Sequence, residues 1–323
     1  MSKGIWRSPW YEFALCGITA FFIEVMATAH DVAIRATLAK YFSALHDCDE
    51  AAFRGMWHPR GLLLGLGNDG SVVCRDCEAF CASAMARGTS SAYAGHDAVL
   101  SVHILDATCA SAKVQIALPP APSSPTPTTE ATLYTDWLTL LNDASLGGWR
   151  IISKVYASTP LAPGEGAGSA PITPHLFYDL ASAVWDGYVA AGRACDTEGM
   201  AQVFHPRCNL TFANTDGVTV IACDDFCAHV GTRWTSAKHR SWAHLKDDPR
   251  ASAEDTLLSC DFASADVARV TLKIGYPPYL YHDVLLLLRL ACPLKGRDGW
   301  WIVAKSSASV PFLSEAGNGE QRP

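Results

Sequence analysis

The feature that most constrains this chain is that it repeats itself. "WHPR" at 57–60 returns as "FHPR" at 204–207, so His58 and His205 stand 147 positions apart. The same offset pairs Tyr41 with Tyr188, Cys48 with Cys195, Asp49 with Asp196, and Asp69-Gly70 with Asp216-Gly217. One residue of slippage aligns "CEAFCA" (Cys77 to Ala82) with "CDDFCA" (Cys223 to Ala228). "LYTDWLTLL" (Leu133 to Leu141) then matches "LYHDVLLLL" (Leu280 to Leu288), and "GWRIISK" (Gly148 to Lys154) matches "GWWIVAK" (Gly299 to Lys305). Motifs recurring in one order at nearly one offset mark a tandem duplication, so the chain must fold as two like domains.

The copies run over 29–157 and 172–312. The Pro-, Gly- and Ala-rich residues 158–171 between them read as a linker, and 313–323 as a polar tail. Residues 1–28 are an extension of two-sided character. Lys3 and Arg7 precede an apolar run, Phe13 to Ile23, as in a secretory signal, but Glu12 and Glu24 flank that run and it is too short to span a bilayer. The expectation is a cytoplasmic protein, with the secretory pathway as the alternative; only there would the sequon at Asn209 matter. A net charge of −7, with no Lys/Arg stripe, excludes an electrostatic grip on nucleic acid. The twelve cysteines read as reduced core thiols.

Within each copy the pattern is helical first. Ile34, Leu38, Tyr41, Phe42 and Leu45 form one apolar stripe, with Asp31 as its expected N-cap, and Leu180, Val184, Tyr188 and Val189 take that role in the second copy. A short helix ends at each His-Pro, and a third carries the "CxxFC" motif. Strand-like segments follow: Ala98 to Leu105, Ala110 to Leu118, Leu133 to Leu141 and Trp149 to Tyr156. The predicted class is α+β, helices followed by antiparallel strands. Two segments interrupt it: the Pro-rich arm 119–129, and the irregular stretch 243–256.

The run "DVAIRATLAKYFSALHDCDEAAFRGMWHP", the Asp-Gly pair, "YTDWLTLL" and "GWRIISKVY" together resemble the putative lumazine-binding, SnoaL-like branch of the nuclear transport factor 2-like (NTF2-like) superfamily. The resemblance implies two cone-shaped domains, each a curved antiparallel sheet around helices with an apolar cavity. Because relatives pair sheet to sheet, it also implies an intrachain pseudo-dimer, as a monomer or weak homodimer. The superfamily includes isomerases, cyclases, dehydratases and pure binding modules, so fold alone does not choose activity.

On the resemblance, Asp136 is the candidate base or anchor, with Tyr134 and His58 as polar partners. Asp136 shares a strand face with Tyr134, Leu138 and Leu140, and inside a cone it would be desolvated. Trp57, Trp137, Lys154, Asp283, Tyr281 and His205 are the further candidate ligand-binding residues. Bland readings stand beside these: a hydrogen bond across the sheet or at the inter-copy interface for Asp136, helix-end or turn-orienting roles for His58 and His205, and solvent exposure or a salt bridge for Lys154 on the face opposite Ile151. The expected partner is a small apolar or aromatic ligand in the first copy's pocket; the alternative is a non-catalytic interaction module using 119–129 and 243–256. No metal is expected from Cys74, Cys77 and Cys81, because no nearby His completes a four-ligand set. No cofactor is expected either. "GLGNDG" (Gly65 to Gly70) fits the dinucleotide fingerprint by letter, but it lacks a parallel βαβ context, and its counterpart "FANTDG" keeps only Asp-Gly.

Overall fold

A computed structural model describes residues 9–67, 71–120, 131–161, 171–214, 217–237, 239–246, 248–292 and 297–311. Most of the Pro-rich arm and of the linker, the polar tail and both expected Asp-Gly turns lie wholly or partly outside the described residues.

The first domain begins with α1 (Pro9–Asp47) and α2 (Glu50–Met56), then β1 (Trp57–Leu66), β2 (Val72–Asp76), α3 (Cys77–Met85), β3 (Ala98–Ile104), β4 (Cys109–Leu118), β5 (Thr132–Asp143) and β6 (Gly148–Pro160). Asp31 does not cap α1. No proline interrupts the segment from Tyr11 to Asp31, so the helix starts at Pro9 and Asp31 pairs along it with Arg35 at 2.7 Å. The caps recur where the repeat places Asp49 and Asp196. Each carboxylate accepts from a backbone amide three residues on, at 2.9 and 3.0 Å. The cysteine before each cap takes the left-handed conformation that ends a helix, with φ of 53° at Cys48 and 52° at Cys195.

The second domain follows the same plan: α4 (Pro174–Ser182), a π-helical turn (Ala183–Val189), α5 (Ala190–Ala194), α6 (Thr197–Val203), β7 (Phe204–Asn214), β8 (Gly217–Ile221), α7 (Cys223–Gly231), α8 (Pro249–Ala253), β9 (Thr256–Ser264), β10 (Val267–Tyr276), β11 (Tyr279–Cys292) and β12 (Arg297–Pro311). The π turn absorbs one inserted residue. Leu38 and Tyr41 are three apart in α1, whereas Val184 and Tyr188 are four apart, yet all four are buried in their cores. The 243–256 stretch folds onto this domain: Arg193 pairs with Asp255 and donates to the Gly275 carbonyl at 2.7 Å.

Each domain carries one six-stranded sheet, in the orders β2-β1-β6-β5-β4-β3 and β8-β7-β12-β11-β10-β9. Neighbours are antiparallel except β1 with β6 and β7 with β12, which are parallel, so the sheets are mixed rather than wholly antiparallel. One face of each sheet closes on its helices. In the first domain Ile34, Leu38, Tyr41, Phe53, Leu138 and Ile151 fill that core. The opposite faces meet: Leu64, Trp137 and Val155 pack with Val284, Leu286 and Trp301 in one cluster drawn from both domains. Asn209 lies buried near this junction and donates to the Arg60 carbonyl at 3.4 Å, a position closed to glycosylation. β1 pairs with antiparallel β2, and the Gly67 amide donates to the Ser71 carbonyl at 2.8 Å.

Candidate functional site

Strand alternation sends Tyr134, Asp136, Leu138 and Leu140 toward the cone, as expected, and sends Trp137 away from it. Trp137 is therefore an interface residue and not a pocket wall. Trp57 is a buried core ring against Phe53 and Phe80, with centroids at 6.1 and 5.3 Å.

Lys154 departs from its expected place opposite Ile151. Between β5 and β6 the register jumps from Thr139↔Ser153 to Leu140↔Ile151, so β6 carries an extra residue. Such a bulge reverses the alternation beyond it, and Ile151 and Lys154 then share the inner face. Lys154, only 4% exposed, reaches the fully buried Asp136 at 2.5 Å. It also donates to the Tyr41 hydroxyl at 2.8 Å, and Tyr41 donates to Asp136 Oδ2 at 3.1 Å. The rings of Tyr41, Phe80, Tyr134 and Tyr156 surround the ammonium at 5.5, 5.2, 6.0 and 5.7 Å.

The second domain builds the same triad. Tyr188 donates to Asp283 Oδ2 at 2.7 Å, and Lys305 donates to Oδ1 at 2.8 Å. Here a fourth group joins: Ser307 donates to Oδ1 at 2.5 Å and accepts from Lys305. The residue two beyond the lysine in the first domain is Tyr156, and Asp136 Oδ1 is buried without a hydrogen-bond partner among the described residues. A size exchange with the neighbouring strand accompanies this difference. Tyr156 pairs with Gly65, and Ser307 pairs with Phe212. A β-carbon at Gly65 would overlap the Tyr156 ring. One large side chain fits at each place, and the two copies draw it from different strands.

Burial dominates the electrostatics. It pushes the Asp136 carboxyl up, with Lys154 opposing, and pushes the Lys154 ammonium down, with Asp136 opposing. Burial and then the Asp136 charge hold Tyr41 well above its usual range, so its hydroxyl stays a donor. Tyr156 is pushed up to about 12, chiefly by burial.

The expected partners of Asp136 are only partly gathered. Tyr134 belongs to the ring of aromatics, but its hydroxyl accepts from Arg87 at 2.8 Å and makes no bond to Asp136. His58 is not in the triad. Its Nδ1 accepts from the Arg60 amide at 3.1 Å and its Nε2 faces Asp143 at 3.6 Å. His205 repeats the first bond with Arg207 at 3.2 Å. Both histidines thus brace the irregular start of their own strands, where the pairing with β6 and with β12 shifts register. Tyr281 lies beside Arg233, whose guanidinium stands 5.7 Å from its ring. Tyr41 is the member that sequence reasoning assigned only to the helix stripe. Its signal was present: a tyrosine kept in both copies where any apolar side chain would fill the stripe.

Two open grooves of about 520 and 620 Å3 lie elsewhere, on the helical outside of the second domain beside Asp186. Among the described residues no three His, Cys, Asp or Glu side chains gather as a metal site, and no helix is long and apolar enough to cross a membrane. Cys77 and Cys81 are buried free thiols on α3, and burial pushes both up.

The model of a family described as putative lumazine-binding matches residues 29–157 and again 178–307. Similar solved structures include an NTF2-like protein of unknown function from Silicibacter pomeroyi, 22% identical, covering 41% of this chain and 98% of its own, with a TM-score of 0.34. Another is an NTF2-like protein of unknown function from Shewanella baltica, 19% identical, covering 41% and 96%, with a TM-score of 0.32. A ketosteroid isomerase-like protein from Erwinia carotovora atroseptica is 14% identical and covers 40% and 95%, with a TM-score of 0.29. No curated protein matches the chain.

Proposed function

Because the chain belongs to the putative lumazine-binding family, in two tandem NTF2-like domains, we propose that its first domain binds a small apolar or aromatic ligand in the cone beside Asp136. One observation carries this reading: Asp136 Oδ1 is buried and unpartnered, while the same oxygen of Asp283 receives Lys305 and Ser307. A buried carboxylate oxygen without a donor is costly, on the order of 1–3 kcal/mol or more for a charged group. A ligand N–H or O–H that reaches Oδ1 as the surrounding rings part removes that cost. The surrounding rings of Phe80, Tyr134 and Tyr156 suit an apolar or flat body. Lys154 and Tyr41 hold Oδ2 and fix the carboxylate's orientation, which leaves Oδ1 as the atom through which any proton transfer to the ligand would run.

Native mass spectrometry of the purified protein tests this. We expect a bound small molecule that is lost in Asp136→Asn and kept in Asp283→Asn. A protein that is ligand-free under all purification conditions, or a ligand retained by Asp136→Asn and lost from Asp283→Asn, contradicts the reading.

A further inference from the structure

The meeting face of the two sheets is built to accept only the unlike copy. Ser111 on β4 pairs with Thr139 on β5, and Arg269 on β10 pairs with Leu286 on β11. Thr139 and Leu286 are themselves one repeat offset apart. Ser111 and Arg269 therefore occupy the same place in their respective domains. They also touch each other: Arg269 Nη1 donates to Ser111 Oγ at 2.8 Å. In a two-fold arrangement only a residue on the axis touches its own equivalent. These two residues mark that axis.

What stands on the axis is unequal. Arg269 is fully buried, lies 4.2 Å over the Trp137 ring and pairs with Asp261. Were two second-domain faces to meet, two buried guanidiniums would share the spot, an arrangement strongly disfavoured by like charge and desolvation. Two further equivalent pairs are unequal in size. Trp137 of the first domain matches Val284 of the second, and both sit in the shared core. Trp301 of the second domain matches Arg150 of the first; Trp301 enters the shared core, while Arg150 turns to the Leu146 and Trp149 carbonyls. Each domain thus supplies one tryptophan from a place where the other has something smaller or polar. Like-to-like pairing would double one tryptophan and delete the other.

We infer that this face is a lock whose fitting partner is the other half of the same repeat, with the Ser111–Arg269 pair as the element that excludes self-pairing of the second domain. The full chain with Ser111→Arg places two guanidiniums on the axis. It is expected to lose the single compact arrangement, read as a raised radius of gyration in X-ray scattering and as splitting of the calorimetric unfolding transition. Ser111→Ala, which removes one hydrogen bond only, keeps the wild-type radius. The double variant Ser111→Arg with Arg269→Ser carries one guanidinium again and is expected to regain the wild-type radius. An unchanged radius in Ser111→Arg overturns the inference. So does a Ser111→Arg defect that Arg269→Ser fails to relieve, since the fault would then be bulk at position 111 rather than a second charge on the axis.

Discussion

The two domains share a Tyr–Asp–Lys triad and differ in how it is completed. In the second, Lys305 and Ser307 both donate to Asp283 Oδ1, and the aspartate becomes a satisfied core group. In the first, Tyr156 stands where the serine does, Lys154 donates to Oδ2, and Oδ1 is buried without a donor. The difference teaches that a duplicated site can lose or keep an open acceptor through a size exchange on a neighbouring strand. Gly65 with Tyr156 accompanies the unpaired oxygen, and Phe212 with Ser307 accompanies one that receives both Lys305 and Ser307.

The largest expected effect breaks the triads themselves. Lys154→Met strands a buried carboxylate and is expected to cost about 3–5 kcal/mol in urea unfolding. Lys305→Met costs less, because Ser307 and Tyr188 still donate to Asp283. Equal losses would mean that the two carboxylates are equally supported.

The size exchange can be transplanted. Gly65→Ala alone drives a methyl into the Tyr156 ring and is expected to destabilise by about 1–3 kcal/mol. Gly65→Phe combined with Tyr156→Ser copies the second domain's arrangement. It is expected to fold better than Gly65→Phe alone and to lose ligand binding, as followed by native mass spectrometry. A double variant less stable than Gly65→Phe would break the proposed equivalence.

The paired histidines give a smaller, pH-dependent contrast. Burial lowers both His58 and His205 below the ordinary 6.5, and the Asp143 charge opposes this only at His58. A depressed histidine contributes stability that is fully present above pH 6.5 and is lost as pH falls through its lowered folded value. His205→Gln should therefore flatten the acid-side decline in melting temperature more than His58→Gln does. The smallest effect is expected to be common to both copies: Cys48→Gly and Cys195→Gly relieve left-handed backbone and should each stabilise by about 0.5–1 kcal/mol in thermal or urea unfolding. A gain in one copy alone would show that the helix ends are not equivalent.

Much of this fold was legible in the sequence, because duplication lets one copy check the other. The repeat set the two copies in register and exposed the incidental nature of "GLGNDG", and strand patterning located the strands; the capping roles of Asp49 and Asp196 were not read, and the cap expected at Asp31 is absent. The inward aspartate followed from strand alternation. What alternation could not supply was Lys154, because a single extra residue in β6 turns it to the inner face, and bulges leave no mark in a hydrophobic pattern. Tyr41 was hidden for the opposite reason: it satisfied the helical stripe so well that its hydroxyl seemed incidental in the pattern. The place of Trp137 at the interface instead of in the pocket, and the unpartnered Oδ1, depend on contacts between strands far apart in sequence. Comparing Gly65 with Phe212 and Tyr156 with Ser307 as pairs, instead of singly, is the signal that would have exposed the open oxygen.

A high-resolution crystal structure of the purified full chain tests the central asymmetry most directly. The account predicts a non-protein donor within hydrogen-bond distance of Asp136 Oδ1, and Lys305 with Ser307 alone at Asp283 Oδ1. A protein donor closing Asp136 Oδ1, or the same non-protein group bound at both aspartates, would contradict it.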